Sequence, residues 1–490
     1  MASKPATSKG QWRPEGRRYA VPAMKIKFGT SGWRALIADQ FTFANVRRVT
    51  EAIAGHVLRR SKRPTLIVGH DTRFFSEEFA HSACAVLREH GIGVLLCDHP
   101  TPTPAIACEI LRRKTDGAIN FTASHNPAEY HGLKFSGPDG GPALPDVTKD
   151  IEARAEKIAP SDGAPSPHES LGGVKSIDPR PQYLARLGEL VRFNTIAKAK
   201  LKLACDPLYG CGAGYLDGAL VEHGIAVMAV RTNRDVLFGG HPPEPDDEHM
   251  GPLRQAMKDS GAQVGLATDG DADRFGIMDA DGAMVAPNHI LALLFDYLVE
   301  SRGWKLGAAR SVATTHLLDA VAHHHGVAVY QTPVGFKYVG ELIKQDKIAL
   351  GGEESAGLSV RGHVPEKDGV LACLLVAEMV AARQAPLAEQ LRALFRKVGA
   401  EFWPLRINLR LSDELKRRTV ERLKQDFTAF AGHKVAQTDR TDGTKLVLKN
   451  GWWALMRLSG TEALLRLYVE ADSPQNSRRL AEEAQRWIHE

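Results

Sequence analysis

Three aspartates alternate in "ATDGDADRFG": Asp269, Asp271 and Asp273 follow the apolar run "QVGL". Carboxylates crowded at this spacing repel one another unless a cation neutralises them, and hard oxygen ligands at i, i+2 and i+4 suit Mg2+ or Ca2+. An EF-hand is excluded, because Arg274 and Ala280 stand where that loop needs its glycine and its closing glutamate. An acidic surface turn commonly carries two such residues, seldom three with an arginine attached. Mg2+ in turn usually shares its ligands with a phosphate.

A receptor for that phosphate could lie in "MRLSGTEALLR", where Arg457, Ser459, Gly460 and Thr461 follow one another closely. A glycine lets backbone N–H groups curl into a nest, and a forked guanidinium with two hydroxyls suits a phosphate dianion. The same residues also make an ordinary turn. In "IALGGEESAG", Glu353, Glu354 and Ser355 offer acceptors and a hydroxyl of the kind that hold neutral diols. A helix N-terminus with its favoured acids would read alike. In "INFTASHNPAEYHGLKF", Ser124 leaves an apolar run beside His125, an Asn-Pro break and, ten positions on, Lys134; Arg34 in "FGTSGWR" is a further cation. No GxSxG elbow surrounds Ser124 and no GxxxxGK[ST] loop occurs. With a magnesium cluster and a phosphate nest elsewhere in the chain, Ser124 reads as a phosphoryl carrier. His323, His324 and His325 point in different directions on a helix and precede Gly326, which suits a helix C-terminus rather than a metal site.

The elements that must position these groups alternate. Short β-rich runs ("TLIVGHDTR", "GAINFTASHNP", "LKLACDPLYGCG", "QVGLATDGDADR", "SVATT", "KIALGGEES") end in polar turns and lead into helical patterns. That alternation predicts α/β layers with mixed or parallel sheets, whose ligands collect at the carboxyl ends of the strands. The Pro/Ser/Gly-rich stretch 159–173 reads as a linker or flap, and "ESRGWKLGAAR" near residue 300 separates a helix from a strand. Beyond residue 400 comes an α+β module. It holds the strand "FWPLRINLRL", a helix capped by Ser412, a hairpin turning on Asn450-Gly451, "LLRLYVEA" and an amphipathic last helix.

The net charge of +5 resides wholly in residues 1–25, a basic tail rich in Ser, Pro and Gly that cannot order itself; the rest is balanced, so nucleic acid is not an expected partner. The longest apolar runs are broken by Glu378 and Asp296, which excludes a membrane span. Six cysteines without a CxxC pair, and no secretory signal, point to a reducing cytoplasm.

Taken together and in this order, "TASHNP", "DGDADR", "GEESAG" and "RLSGTE" resemble the phosphoserine, metal, sugar and phosphate loops of the α-D-phosphohexomutase superfamily, the phosphoglucomutase/phosphomannomutase enzymes. The resemblance spans about residues 26–490. It implies three similar α/β/α mixed-sheet domains plus a smaller C-terminal α+β domain around a central cleft. Residues 26–172 would carry the phosphoserine, 173–299 the metal, 300–399 the sugar site and 400–490 the phosphate site. It further implies a mutase of hexose 1- and 6-phosphates, glucose and possibly mannose, working through a hexose 1,6-bisphosphate. Phospho-Ser124 would be the carrier, with Mg2+ on Ser124, Asp269, Asp271 and Asp273. Arg34 and Arg274 would steady the transferring group, His125 and Lys134 move protons, Glu353 and Ser355 hold sugar hydroxyls, and Arg457, Ser459, Gly460 and Thr461 anchor phosphate. A sugar phosphate is then the partner, with no nucleic acid or membrane and no oligomeric state specified. Ala463 stands where the family usually has proline, and His131 where asparagine is frequent. A glucosamine-phosphate mutase is the alternative, and after it a magnesium-dependent sugar phosphatase or a non-catalytic sensor.

Overall fold

The computed structural model describes residues 25–29, 31–159, 172–458 and 464–490. The basic tail up to residue 24, most of the 159–173 stretch, and Ser459, Gly460, Thr461 and Ala463 lie outside the described residues.

The first sheet holds β1 (Trp33–Leu36), β2 (Thr65–His70), β3 (Gly93–Cys97), β4 (Ala118–Phe121), β5 (Tyr130–Ser136) and β6 (Lys175–Ile177), in the order β1-β5-β4-β2-β3-β6. The second holds β7 (Leu203–Asp206), β8 (Val227–Ala229), β9 (Val264–Thr268) and β10 (Phe275–Met278), in the order β10-β9-β7-β8. The third holds β11 (Gly307–Ser311), β12 (Val329–Thr332), β13 (Ile348–Glu353) and β14 (Gly357–Val360), in the order β12-β11-β13-β14. All three share one plan of three parallel strands, the third of which turns back through a hairpin into an antiparallel fourth, and the first sheet adds β6 parallel to β3 and β1 antiparallel to β5. The inner strands β2, β4, β9 and β13 are buried on both faces, as strands of parallel sheets between helices are. One expected strand is displaced: β11 ends at Ser311, so "SVATT" is mostly the turn after it, and Arg310 inside the strand is paired to Asp319.

The fourth sheet is antiparallel, β15-β20-β19-β18-β17-β16, made of β15 (Trp403–Arg410), β16 (Ala429–Phe430), β17 (His433–Asp439), β18 (Thr444–Leu448), β19 (Trp453–Leu458) and β20 (Leu464–Ala471). It packs against the helix Pro474–His489, and the Asp413–Leu423 helix is capped as expected, Ser412 Oγ accepting from the Leu415 amide. A small apolar cluster of Val312, Ala313, Trp453, Leu455 and Tyr468 joins it to the third sheet.

One core runs through the second and third units around the helix Gly369–Arg383, which is apolar all round and buried almost throughout. The charges that interrupt the apolar runs are paired. Glu378 accepts from Tyr297, Arg302 and the Arg192 amide, and Asp296 is held by His325, Arg383 and Lys397. Those two cations make Asp296, Glu300 and His325 an ion-pair network. The histidine run ends its helix at Gly326, in the left-handed conformation, as read from the sequence. Among the described residues no single helix is long and apolar enough to cross a membrane.

Candidate functional site

The same hairpin turn of all three α/β units carries the chemistry. The β4–β5 turn bears Ser124, the β9–β10 turn bears Asp269 to Arg274, and the β13–β14 turn bears Glu354 and Ser355 just after Glu353. Each contains one residue other than glycine at positive φ: Ser124 at 54°, Ala272 at 57° and Ala356 at 68°. Such a conformation costs an L-residue about 1–2 kcal/mol. It persists only where surrounding contacts enforce it, which is common where a side chain is aimed at a ligand. The acidic "GEES" stretch therefore opens a three-residue hairpin and not a helix, which corrects the helix N-terminus reading.

The turns interlock. Ser124 is 1% exposed, and its Oγ donates to Asp269 Oδ2 at 2.6 Å. Gly270 passes so close that a Cβ there would sit 2.5 Å from the Ser124 carbonyl oxygen, so only glycine fits. Lys134, on β5, donates to Asp271 at 2.5 Å and to Asp273 at 2.8 Å. From the third unit, the Ala356 carbonyl accepts from the Phe275 amide, and Lys367 Nζ lies 2.9 Å from Asp273 Oδ2. His125 Nδ1 is 3.3 Å from Ser124 Oγ. Arg34 donates to Asn126 at 2.7 Å, and Arg274 reaches Glu244 at 3.5 Å while its Nε has no hydrogen-bond partner.

Electrostatics separate these groups. Burial, reinforced by Asp271 and Asp273, raises the Asp269 carboxyl to about 8. Burial also opposes ionisation of Asp273, but Lys134, Lys367 and Arg274 overcome it and hold that carboxyl well below its usual range. Lys134 is desolvated, yet Asp271 and Asp273 keep it protonated. Desolvation, then Arg274 and Arg34, holds His125 neutral.

The acidic triplet fits a divalent cation on two grounds. Its three carboxylates bring ligand atoms within 4.8 Å of one another, and Asp271 Oδ1 and Asp273 Oδ1 are buried without a hydrogen-bond partner. Buried acceptors left unpaired are costly, and hard oxygen donors at this density suit Mg2+.

Glu353 is 5% exposed and accepts from the Gly335 amide at 2.6 Å. Its carboxyl rises to about 7, through burial and then the neighbouring Glu354. Glu354 is fixed by Ser311 and Thr314, and its charge reaches Arg457, which is held by Asp442 at 2.9 Å. Ser355 is half-buried in the same turn. Sequence reasoning missed Lys367, Thr103, Arg73 and Lys337. Lys367 precedes the Asp368 cap of a helix, with no spacing to mark it. Thr103 opens the Thr103–Arg113 helix and donates to Asp271 at 2.5 Å. Arg73 lies beyond the carboxyl end of β2, where a polar cluster could have been noticed. Lys337 is half-buried, and burial lowers its ammonium below the usual range against the attraction of Glu353. His131, whose role the sequence left open, is fully buried between Phe41 and Ser76.

Models of the phosphoglucomutase/phosphomannomutase domains match in succession: alpha/beta/alpha domain I over residues 25–162, domain II over 181–282, domain III over 286–398 and the C-terminal domain over 407–486. A phosphoglucomutase/phosphomannomutase of Thermococcus kodakarensis is 30% identical, the alignment covering 93% of this chain and 96% of that one. A Methanothermobacter thermautotrophicus protein named as a phosphoglucosamine mutase is also 30% identical, over 94% and 96%. The crystal structure of a Thermus thermophilus protein assigned as a phosphomannomutase superposes with a TM-score of 0.82 at 33% identity, covering 95% of this chain and 100% of that one. Sequence, domain order and fold agree from end to end, and the chain belongs to the phosphoglucomutase/phosphomannomutase family of the α-D-phosphohexomutase superfamily.

Proposed function

We propose that the protein is a phosphohexomutase that interconverts hexose 1-phosphate and hexose 6-phosphate, with glucose as the first sugar and mannose as the second, through phospho-Ser124 and a hexose 1,6-bisphosphate. The observation that carries this reading is the 2.6 Å contact between Ser124 Oγ and Asp269, which links the first unit's hydroxyl to the second unit's acidic triplet.

The Oγ–P bond of phospho-Ser124 breaks as the sugar O6 forms its own O–P bond. The proton leaving O6 passes to neutral His125 and then to the departing Oγ, so proton and phosphoryl are exchanged one for one. Lys134, expected from the resemblance to move protons, acts instead as a fixed positive charge in this reading, because Asp271 and Asp273 keep it protonated. Arg34 and Arg274 flank the transferring group, and the Nε of Arg274, which makes no hydrogen bond and lies 4.0 Å from Asp273 Oδ1, suits one of its oxygens. A Mg2+ ion held by Asp269, Asp271, Asp273 and a phospho-Ser124 oxygen would withdraw charge from that group. Arg457, Ser459, Gly460 and Thr461 hold the non-reacting phosphate, while Glu353 and Ser355 hold sugar hydroxyls. The bisphosphate then turns over, and the phosphoryl group on O1 returns to Ser124 by the reverse exchange. Added hexose 1,6-bisphosphate would prime the serine. Six unpaired cysteines agree with a cytoplasmic setting. A glucosamine phosphate is the alternative to glucose and mannose, because a relative named for it is as similar as the one named for phosphoglucomutase/phosphomannomutase.

The test is a coupled isomerisation assay with glucose 1-phosphate, mannose 1-phosphate and glucosamine 1-phosphate, with and without glucose 1,6-bisphosphate, on the natural protein and Ser124→Ala. The natural protein should turn over at least one of these, and Ser124→Ala should lose on the order of 10³-fold or more in kcat. Turnover that survives Ser124→Ala, or release of inorganic phosphate in place of isomer, would refute the phosphoserine reading and favour a phosphatase.

A further inference from the structure

Arg73 is 0% exposed, and every N–H of its guanidinium is used. Nε donates to Asp71 Oδ2 at 3.1 Å; Nη1 donates to the carbonyls of Pro127 at 2.7 Å and Tyr130 at 3.1 Å; Nη2 donates to those of Ser124 and Asn126, each at 2.6 Å. Three carbonyls of the β4–β5 turn and that of Tyr130 at the start of β5 thus converge on one planar cation. A lysine in its place would offer three donors from a single point and could not span them. Asp71 is itself held by the Arg73 amide and by Ser76 Oγ, so the fork is braced at its base. The second unit closes over it: the Phe238 ring lies 4.9 Å from the guanidinium carbon, and Arg234 donates to the Thr72 and Arg73 carbonyls.

The consequence falls on Ser124. It adopts the left-handed conformation at φ 54°, which an L-residue avoids unless its peptide groups are pinned. Both are pinned: the Ser124 amide donates to Thr122 Oγ1 at 2.8 Å, and its carbonyl receives Arg73. Fixing those two groups fixes the Cα–Cβ direction and with it the 2.6 Å approach of Oγ to Asp269. Resting on the phosphoserine reading, we infer that Arg73 is the positioning residue of the phosphoryl carrier: it touches neither sugar nor phosphate, and acts by holding the serine turn in the geometry for in-line transfer.

The experiment compares Arg73→Lys with the natural protein by kcat and KM for glucose 1-phosphate, counting only enzyme shown by intact mass to carry phosphate on Ser124. Thermal unfolding serves as the control for folding. The expected result is a kcat lower by about 100-fold, the scale set by a misplacement of about 1 Å, with KM changed by no more than about threefold. A role confined to stability would lower the folded fraction but leave kcat per phosphorylated molecule within about threefold, and that result overturns the inference. If Arg73→Lys does not fold, Thr122→Val removes the hydroxyl that is the other pin; it should lower kcat in the same sense by about 10-fold, and an unchanged kcat overturns the inference. Should the natural protein take no phosphate from glucose 1,6-bisphosphate, the phosphoserine reading itself fails. If it takes phosphate and turns over normally while both variants match it, only the role of Arg73 fails.

Discussion

Acid should loosen the serine-bearing unit through one histidine. His131 lies on β5, between the Ser124 turn and Lys134, and is fully buried against Phe41 at a ring separation of 4.8 Å. Its Nδ1 accepts from the Gly132 amide at 2.8 Å, and its Nε2 lies 3.0 Å from Ser76 Oγ, which donates to Asp71. That network suits the neutral ring. Desolvation lowers its pKa from 6.5 to about 4, against attraction from Asp71 and with help from Arg73 and His70. Between those two values the unfolded chain binds a proton that the folded chain does not. Stability is therefore complete above pH 6.5, falls as pH drops through the window, and levels off below about 4. At about 1.4 kcal/mol per unit, the loss is about 2 kcal/mol at pH 5 and about 3 kcal/mol over the whole window. The assay is urea unfolding between pH 7 and pH 5, with hydrogen exchange of residues 130–136 as the local reporter, on the natural protein and His131→Asn. The variant starts less stable because it loses packing, but it should lose about 2 kcal/mol less on acidification. Equal losses in the two proteins would show that this ring does not titrate as its burial demands.

Two further substitutions address contacts that the sequence did not mark. Lys367→Met removes one of the two lysines on Asp273 and leaves Lys134; stability should fall by about 2 kcal/mol in urea, below the cost of breaking a buried pair completely, and kcat should fall with it. Lys445 is buried over the Trp453 ring at 3.8 Å and donates to the Val312 carbonyl of the third unit at 2.8 Å. Lys445→Met should weaken docking of the fourth unit by about 1–3 kcal/mol, seen as faster hydrogen exchange in residues 444–458 and 464–471 while residues 65–136 exchange as before.

Local chemistry made much of this protein legible from its residues in order. Asp269, Asp271 and Asp273 repel whatever the fold around them, so their need for a cation is written in their spacing. The apolar runs ending in polar turns likewise announce strands whose carboxyl ends carry a site, and Ser412 and Gly326 mark helix ends where the structure has them. Pattern could not place the strand over 307–311, whose alanines and buried arginine carry little β signal. Nor could it tell that "GEES" is a hairpin, since acids favour helix starts equally well.

What only the tertiary structure decided is partnership across long separations. Ser124 meets Asp269 145 positions away, Lys134 meets Asp271 137 positions away, and Lys367 comes from a third unit to share Asp273. Those contacts arise because three sheets of one plan present the same hairpin turn toward one another, and no local propensity carries that information. The Arg73 fork is of the same kind: four of its five acceptors are backbone carbonyls, which every residue has, so their convergence depends on the path of the turn and not on the identity of its side chains.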